Sequence, residues 1–329
     1  MACASFLLVI RTTPARTLLT AVATLPLLVV IGTVEFTSSS SASSVSSAGT
    51  SPFWETSHFE LEHPWTLHEG KHWQVLSPDS EEIGVTDAVE GTRGPCSPGM
   101  VEVRGRMRID GPAGSIEAMQ RSMCTRWISM EFPERCEQFD EAKWKAYVDE
   151  LPTVDKSFCI DRYEYPNVKG QYPWVFVSWS EAAEICERDG KRLCSETEWT
   201  FACEGEDAWP YPYGFERSAA ACVIDRPWME YDEHKFTDRS SEGALRELDR
   251  VWQGEASGSR PMCRSPFGVY DMTGNVDEWT YASSHQGFRS ILKGGYWAEV
   301  RARCRPSTRA HGEGFAFYQQ GFRCCGDTL

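Results

Sequence analysis

Cysteine content constrains this chain more than any other feature. Thirteen cysteines are spread from Cys3 to Cys325. A protein kept in a reducing compartment rarely holds so many, unless they bind metal. Structural zinc sites show close cysteine pairs. Here there is no CxxC pair, and the closest spacing is the vicinal Cys324–Cys325. Disulfides are therefore the expected state. Vicinal cysteines bridge each other only under strain, so each is expected to reach a different partner.

The N-terminus agrees with an oxidising compartment. Residues 1–16 contain Arg11 and Arg16 and no acid, and residues 17–34 form an apolar run. That order reads as an export signal or an uncleaved anchor, and residues 1–36 are assigned to it. Residues 37–51 are nearly all Ser, Ala, Gly and Thr, a linker composition. Residues 52–93 carry Trp54, Trp65, Trp73, His63, His68 and His72 without a period, and read as a loosely structured lead-in. The main domain is expected over residues 94–329. With Cys3 inside the signal, twelve cysteines remain, an even number. The expected location is extracytoplasmic: secreted, periplasmic or N-terminally anchored. A formal net charge of −15 argues against nucleic acid as a partner. Contact with a membrane is expected only through the possible anchor.

Residues 101–109 alternate apolar and polar side chains, as a half-buried strand does. Residues 158–165 have a mixed, strand-like pattern. Two helices announce themselves by capping boxes, Ser178 with Glu181 and Ser195 with Glu198. Each turns one cysteine inward, Cys186 and Cys203, and Gly190 and Gly205 read as their stops. The remainder is rich in Gly, Pro, Arg and aromatics. The fold class is α+β, a single irregular, loop-rich domain stapled by disulfides.

Five blocks then occur in order. They are CSPGMVEVRGRM (96–107), CIDRYEYPN (159–167), VSWSEAAEICERDGKRLCSETEWTFACEG (177–205), YDMTGNVDEWT (270–280), and KGGYW (293–297) with GFRC (321–324). Together they resemble the formylglycine-generating enzyme family, the sulfatase-modifying factors, whose fold is related to the C-type lectin fold. The resemblance implies calcium held by Asp271, Gly274, Val276 and Glu278, two carboxylates and two carbonyls about a turn, which suits a hard cation. It also implies the disulfides Cys186–Cys324 and Cys203–Cys304.

The family's oxidase uses two copper(I)-binding cysteines between the GGSW-like block and the arginine-rich segment. Here that stretch reads GGYWAEVRARCR (294–305) and holds only Cys304, at the structural position. No copper is expected. A second branch holds non-heme iron in an HxxxHxE cluster. His68 and His72 have the spacing, but Gln74 stands in place of the carboxylate, so no iron is expected either. Trp297, Arg301 and Arg305 are candidate ligand-pocket residues, and His311 and Arg303 candidate catalytic ones. The favoured reading is an exported module binding a protein, peptide or glycan. The alternative is an enzyme of altered chemistry acting on an exported polypeptide or cell-wall substrate.

Overall fold

Strand β3 (Met100–Arg108) buries Met100, Val101, Val103 and Met107 and exposes Glu102, Arg104 and Arg106, the alternation that a one-sided strand requires. It pairs antiparallel along its whole length with β6 (Thr153–Asp161). The sheet continues through β12 (Cys324–Gly326) to β7 (Arg192–Leu193), in the order β3-β6-β12-β7. A second four-stranded sheet runs β10 (Ser307–Thr308), β9 (Ser290–Lys293), β8 (Asp277–Tyr281), β11 (Gln320–Phe322), with β11 parallel to β8. The computed structural model describes residues 60–77, 94–112, 114–282 and 287–328. These fall in one unit, residues 58–329. The expected signal or anchor and the linker lie outside the described residues. Among those described, no helix is long and apolar enough to cross a membrane.

Helices α3 (Trp179–Arg188) and α4 (Glu196–Glu204) both carry complete capping boxes at the two expected serines. Ala182, Ile185 and Cys186 of α3 are buried, as are Trp199, Ala202 and Cys203 of α4. Gly205 ends α4 at φ 71°, and a Cβ there would lie 2.8 Å from Pro266. A left-handed residue pressed against a ring can only be glycine.

Among the described residues three further α-helices occur: α1 (Ile116–Ser122), α2 (Glu141–Val148) and α5 (Glu242–Val251). Between α1 and α2 lies the irregular hairpin β4 (Cys124–Ser129) and β5 (Arg135–Phe139). The lead-in also holds order that the sequence reading did not assign. Within it, β1 (Trp65–His68) and β2 (His72–Val75) form a hairpin. Trp73 and Val175 exchange backbone hydrogen bonds of 3.2 and 2.9 Å, and Trp73 and Val75 are buried in the main core. All four β2 residues are buried, including His72 and Gln74, so no polar–apolar alternation betrays the strand.

All twelve cysteines from Cys96 onward are bridged. The pairs are Cys96–Cys159, Cys124–Cys136, Cys186–Cys324, Cys194–Cys325, Cys203–Cys304 and Cys222–Cys263. Two of them are the pairs implied by the resemblance. The vicinal Cys324 and Cys325 reach different partners, one on α3 and one just after β7.

Candidate functional site

A cavity of about 470 Å³ opens over the junction of β8 and β11. Asp277 and Gln320 are register partners in that parallel pair, so their side chains stand together on its floor. Gly294 and Gly295 follow β9 and form one edge, at φ 90° and 72°. A Cβ on Gly294 would lie 2.9 Å from the Met272 carbonyl, so this approach admits only glycine. It lets the Gly295 N–H donate to Asp277 Oδ1 at 3.2 Å. Burial pushes the Asp277 carboxyl up to about 7; the Gly295 N–H opposes the rise and the neighbouring Glu278 charge adds to it.

The sequence-predicted residues divide sharply around this cavity. Arg301 and His311 line it. Arg301 lies over the Phe132 ring at 5.2 Å. His311 stacks on Phe315 with centroids 4.1 Å apart, and burial lowers its pKa. Trp297 does not reach the cavity. It is 1% exposed and packs edge-on against Trp252. Arg303 is also buried away from it, donating to Gln120 Oε1 at 3.0 Å. Arg305 forks onto Glu204 at 2.6 and 2.5 Å and borders a smaller, polar cavity with Arg301 and Arg309. Arginine forks serve ligand pockets and internal ion pairs alike, and here most serve the fold.

The four residues expected to hold calcium do not assemble a cage. Glu278 is clasped by Arg323, with both bonds at 2.7 Å, and its Oε2 also accepts from Trp199 Nε1 at 2.8 Å. Asp271 Oδ2 accepts from the Gly258 N–H at 2.6 Å, and the Val276 N–H points to Glu164. Gly274 fixes the turn: a Cβ there would lie 2.3 Å from the Val223 carbonyl. Among the described residues no group of three His, Cys, Asp or Glu could hold a metal ion. Two of the four expected ligands are backbone carbonyls, and both carboxylates are engaged by protein donors in this structure. The buried Arg323 bonds Glu278 and lies within electrostatic reach of Glu164 and Asp271. Burial, reinforced by the neighbouring carboxylates, raises Glu164, and burial raises Asp271 to about 7.

The histidine pair of the lead-in is likewise structural. His68 meets Gln74 Oε1 at 2.7 Å and stacks on Trp174, while His72 lies against the Phe176 carbonyl. Cys304 is bonded to Cys203, leaving no thiol in residues 294–305.

Sequence reasoning missed Asp277, Gln319 and Gln320. The first stands at a variable position of the DMxGNVxEW-like block, and the others precede GFRC. The side-chain Oε1 of both glutamines is buried without a hydrogen-bond partner, and both residues line the cavity. Unpaired buried oxygens are uncommon in folded proteins and ask for an explanation.

Comparison with known proteins supplies a frame for these features. The Bos taurus protein named inactive C-alpha-formylglycine-generating enzyme 2 is 30% identical over 166 residues, 47% of this chain and 50% of the relative. The formylglycine-generating enzyme of Mycobacterium tuberculosis is 26% identical over 220 residues, 58% of this chain and 69% of that protein. The chain thus spans about half the length of the bovine relative. Among solved structures, PvdO from Pseudomonas aeruginosa aligns over 71% of this chain and 97% of its own, at 19% identity and a TM-score of 0.41. The profile of the sulfatase-modifying factor enzyme 1-like domain matches residues 134–328, more than half of the chain. On that match, the chain belongs to the sulfatase-modifying factor enzyme 1-like domain family.

Proposed function

We propose that this chain is an extracytoplasmic binding module, in which the family cleft recognises a ligand and copper-dependent formylglycine-generating chemistry is absent. The observation that carries the reading is the Cys203–Cys304 disulfide. Copper(I) binds soft thiolates, and a bridged sulfur offers none. Cys304 is the sole cysteine between Gly294 and Arg305, and its sulfur is committed. The name of the bovine relative, which calls that protein inactive, is in keeping with this. Six disulfides support an oxidising compartment. A concave cavity with aromatic and polar walls and no thiol supports binding.

The test is direct. The oxidised protein is incubated with copper(I) and a sulfatase-derived cysteine peptide, and aldehyde is read by hydrazine capture and mass spectrometry. No aldehyde is expected. Its formation at a rate above a protein-free control would overturn the proposal.

A further inference from the structure

The floor of the main cavity is built from acceptors. Asp277 has no cationic partner: among the described residues its hydrogen bond comes from the Gly295 N–H alone. Arg301, which shares the cavity wall, acts on it only through space, as does Lys293; neither donates a hydrogen bond to it. Beside it, Gln320 is 1% exposed and Gln319 sits one residue away, each with an unpaired Oε1. An ionised carboxylate only accepts, and so does an amide oxygen. Leaving buried acceptors unpaired is unfavourable, and a donor entering the cavity relieves the two glutamine oxygens and gives Asp277 a second partner. The walls add Trp228 and Tyr296, and Phe132, whose face Arg301 already covers. Aromatic faces attract a cation that has shed part of its hydration. The net charge of −15 favours the approach of cations over anions.

We propose that this cavity takes a primary ammonium group of the ligand, seated on Asp277, Gln319 and Gln320 between the aromatic walls. The group has three N–H donors for three acceptors. A lysine side chain and an amino sugar both present it. This inference rests on the binding-module reading and names the ligand class of that same site.

Two matched pairs of probes test it, with intrinsic tryptophan fluorescence and calorimetry as readouts. They are Nα-acetyl-lysine amide against Nα-acetyl-norleucine amide, and glucosamine against N-acetylglucosamine. The ammonium member of at least one pair is expected to bind about tenfold tighter than its neutral partner, the worth of one charge-assisted hydrogen bond. The pair that shows the preference identifies the source of the ammonium. Asp277→Asn keeps the acceptor for Gly295 and is expected to abolish the preference. Gln320→Met is expected to weaken it severalfold. Equal binding within both pairs, an unchanged preference in Asp277→Asn, or no binding by any of the four probes would overturn the assignment. None of those results produces aldehyde, so the binding-module reading fails separately, by the oxidase assay.

Discussion

Glu181 stands at the third position of α3 and is held from several sides. Its carboxylate accepts from the Ser178 N–H and hydroxyl at 3.0 and 2.8 Å, and from the Arg239 guanidinium. Burial by itself would raise its pKa; Arg239 and Ser178 overcome that and hold it at about 2. Because the folded value lies below the unfolded one, the stabilisation is present above pH 4.5 and is lost as pH falls towards 2. Glu181→Gln is therefore expected to lose roughly 1–2 kcal/mol at neutral pH, after allowing for solvent screening of a partly exposed pair. The gap between variant and wild type should close as pH falls from 4.5 to 2. Urea unfolding across that range checks this, and a pH-independent gap would contradict it. The same residue was legible in the sequence as half of a capping box, because that motif is local. Its pairing with Arg239, 58 residues away, was not. Asp277 is the opposite case. Nothing near it in the chain marks it, since its partners on the cavity floor arrive with β11 from more than forty residues on.

Among the elements, those with local punctuation were readable and those defined by tertiary contact were not. Helices α3 and α4 begin at serines with a glutamate three residues on and stop near glycines, and the structure places them there. Strand β3 was visible by its alternation. Helix α5 buries Ala244, Leu248 and Val251 at helical spacing, yet Gly243 and the buried Glu247 and Asp249 obscure the stripe. Asp249 is retained inside because the His63 and Trp65 side chains and the Glu62 and His63 N–H groups bond to it. Those partners lie in the lead-in, so neither segment makes sense alone. The staples between elements also differ in weight. Cys203–Cys304 closes a span of 101 residues and Cys124–Cys136 one of 12. In the chain-entropy account the longer loop is worth about 4–5 kcal/mol and the shorter about 3 kcal/mol. Replacing each pair by alanine should preserve that order in chemical denaturation. A larger loss at the shorter bridge would show that native packing, not loop closure, sets the cost.

For the molecule as a whole, the arrangement of cysteines yields a sharp expectation. Every described cysteine is bridged. Alkylation of the denatured, unreduced protein should label no cysteine from Cys96 to Cys325 in mass spectra. Several labelled sites would break the framework and, with it, the argument against a copper site. The resemblance anticipated two bridges that anchor helices to the C-terminal third. It was silent on the other four, whose pairing depends on which strands become neighbours. It also pointed to calcium at this turn, and was silent on the Arg323–Glu278 clasp found there. That outcome follows from Arg323 and Glu278 meeting only after β8 and β11 align.

The position of β12 carries one more consequence, for the order of events during synthesis. This strand lies inside its sheet, between β6 and β7, yet it follows every other described element along the chain. Cys186 and Cys194 therefore leave the ribosome more than a hundred residues before Cys324 and Cys325. In the interval both lack their native mates, and other cysteines of the chain can pair with them under oxidising conditions. Wrong pairings formed early must be undone before the sheet can close. Formation of the native pairs is thus a matter of timing as much as of sequence.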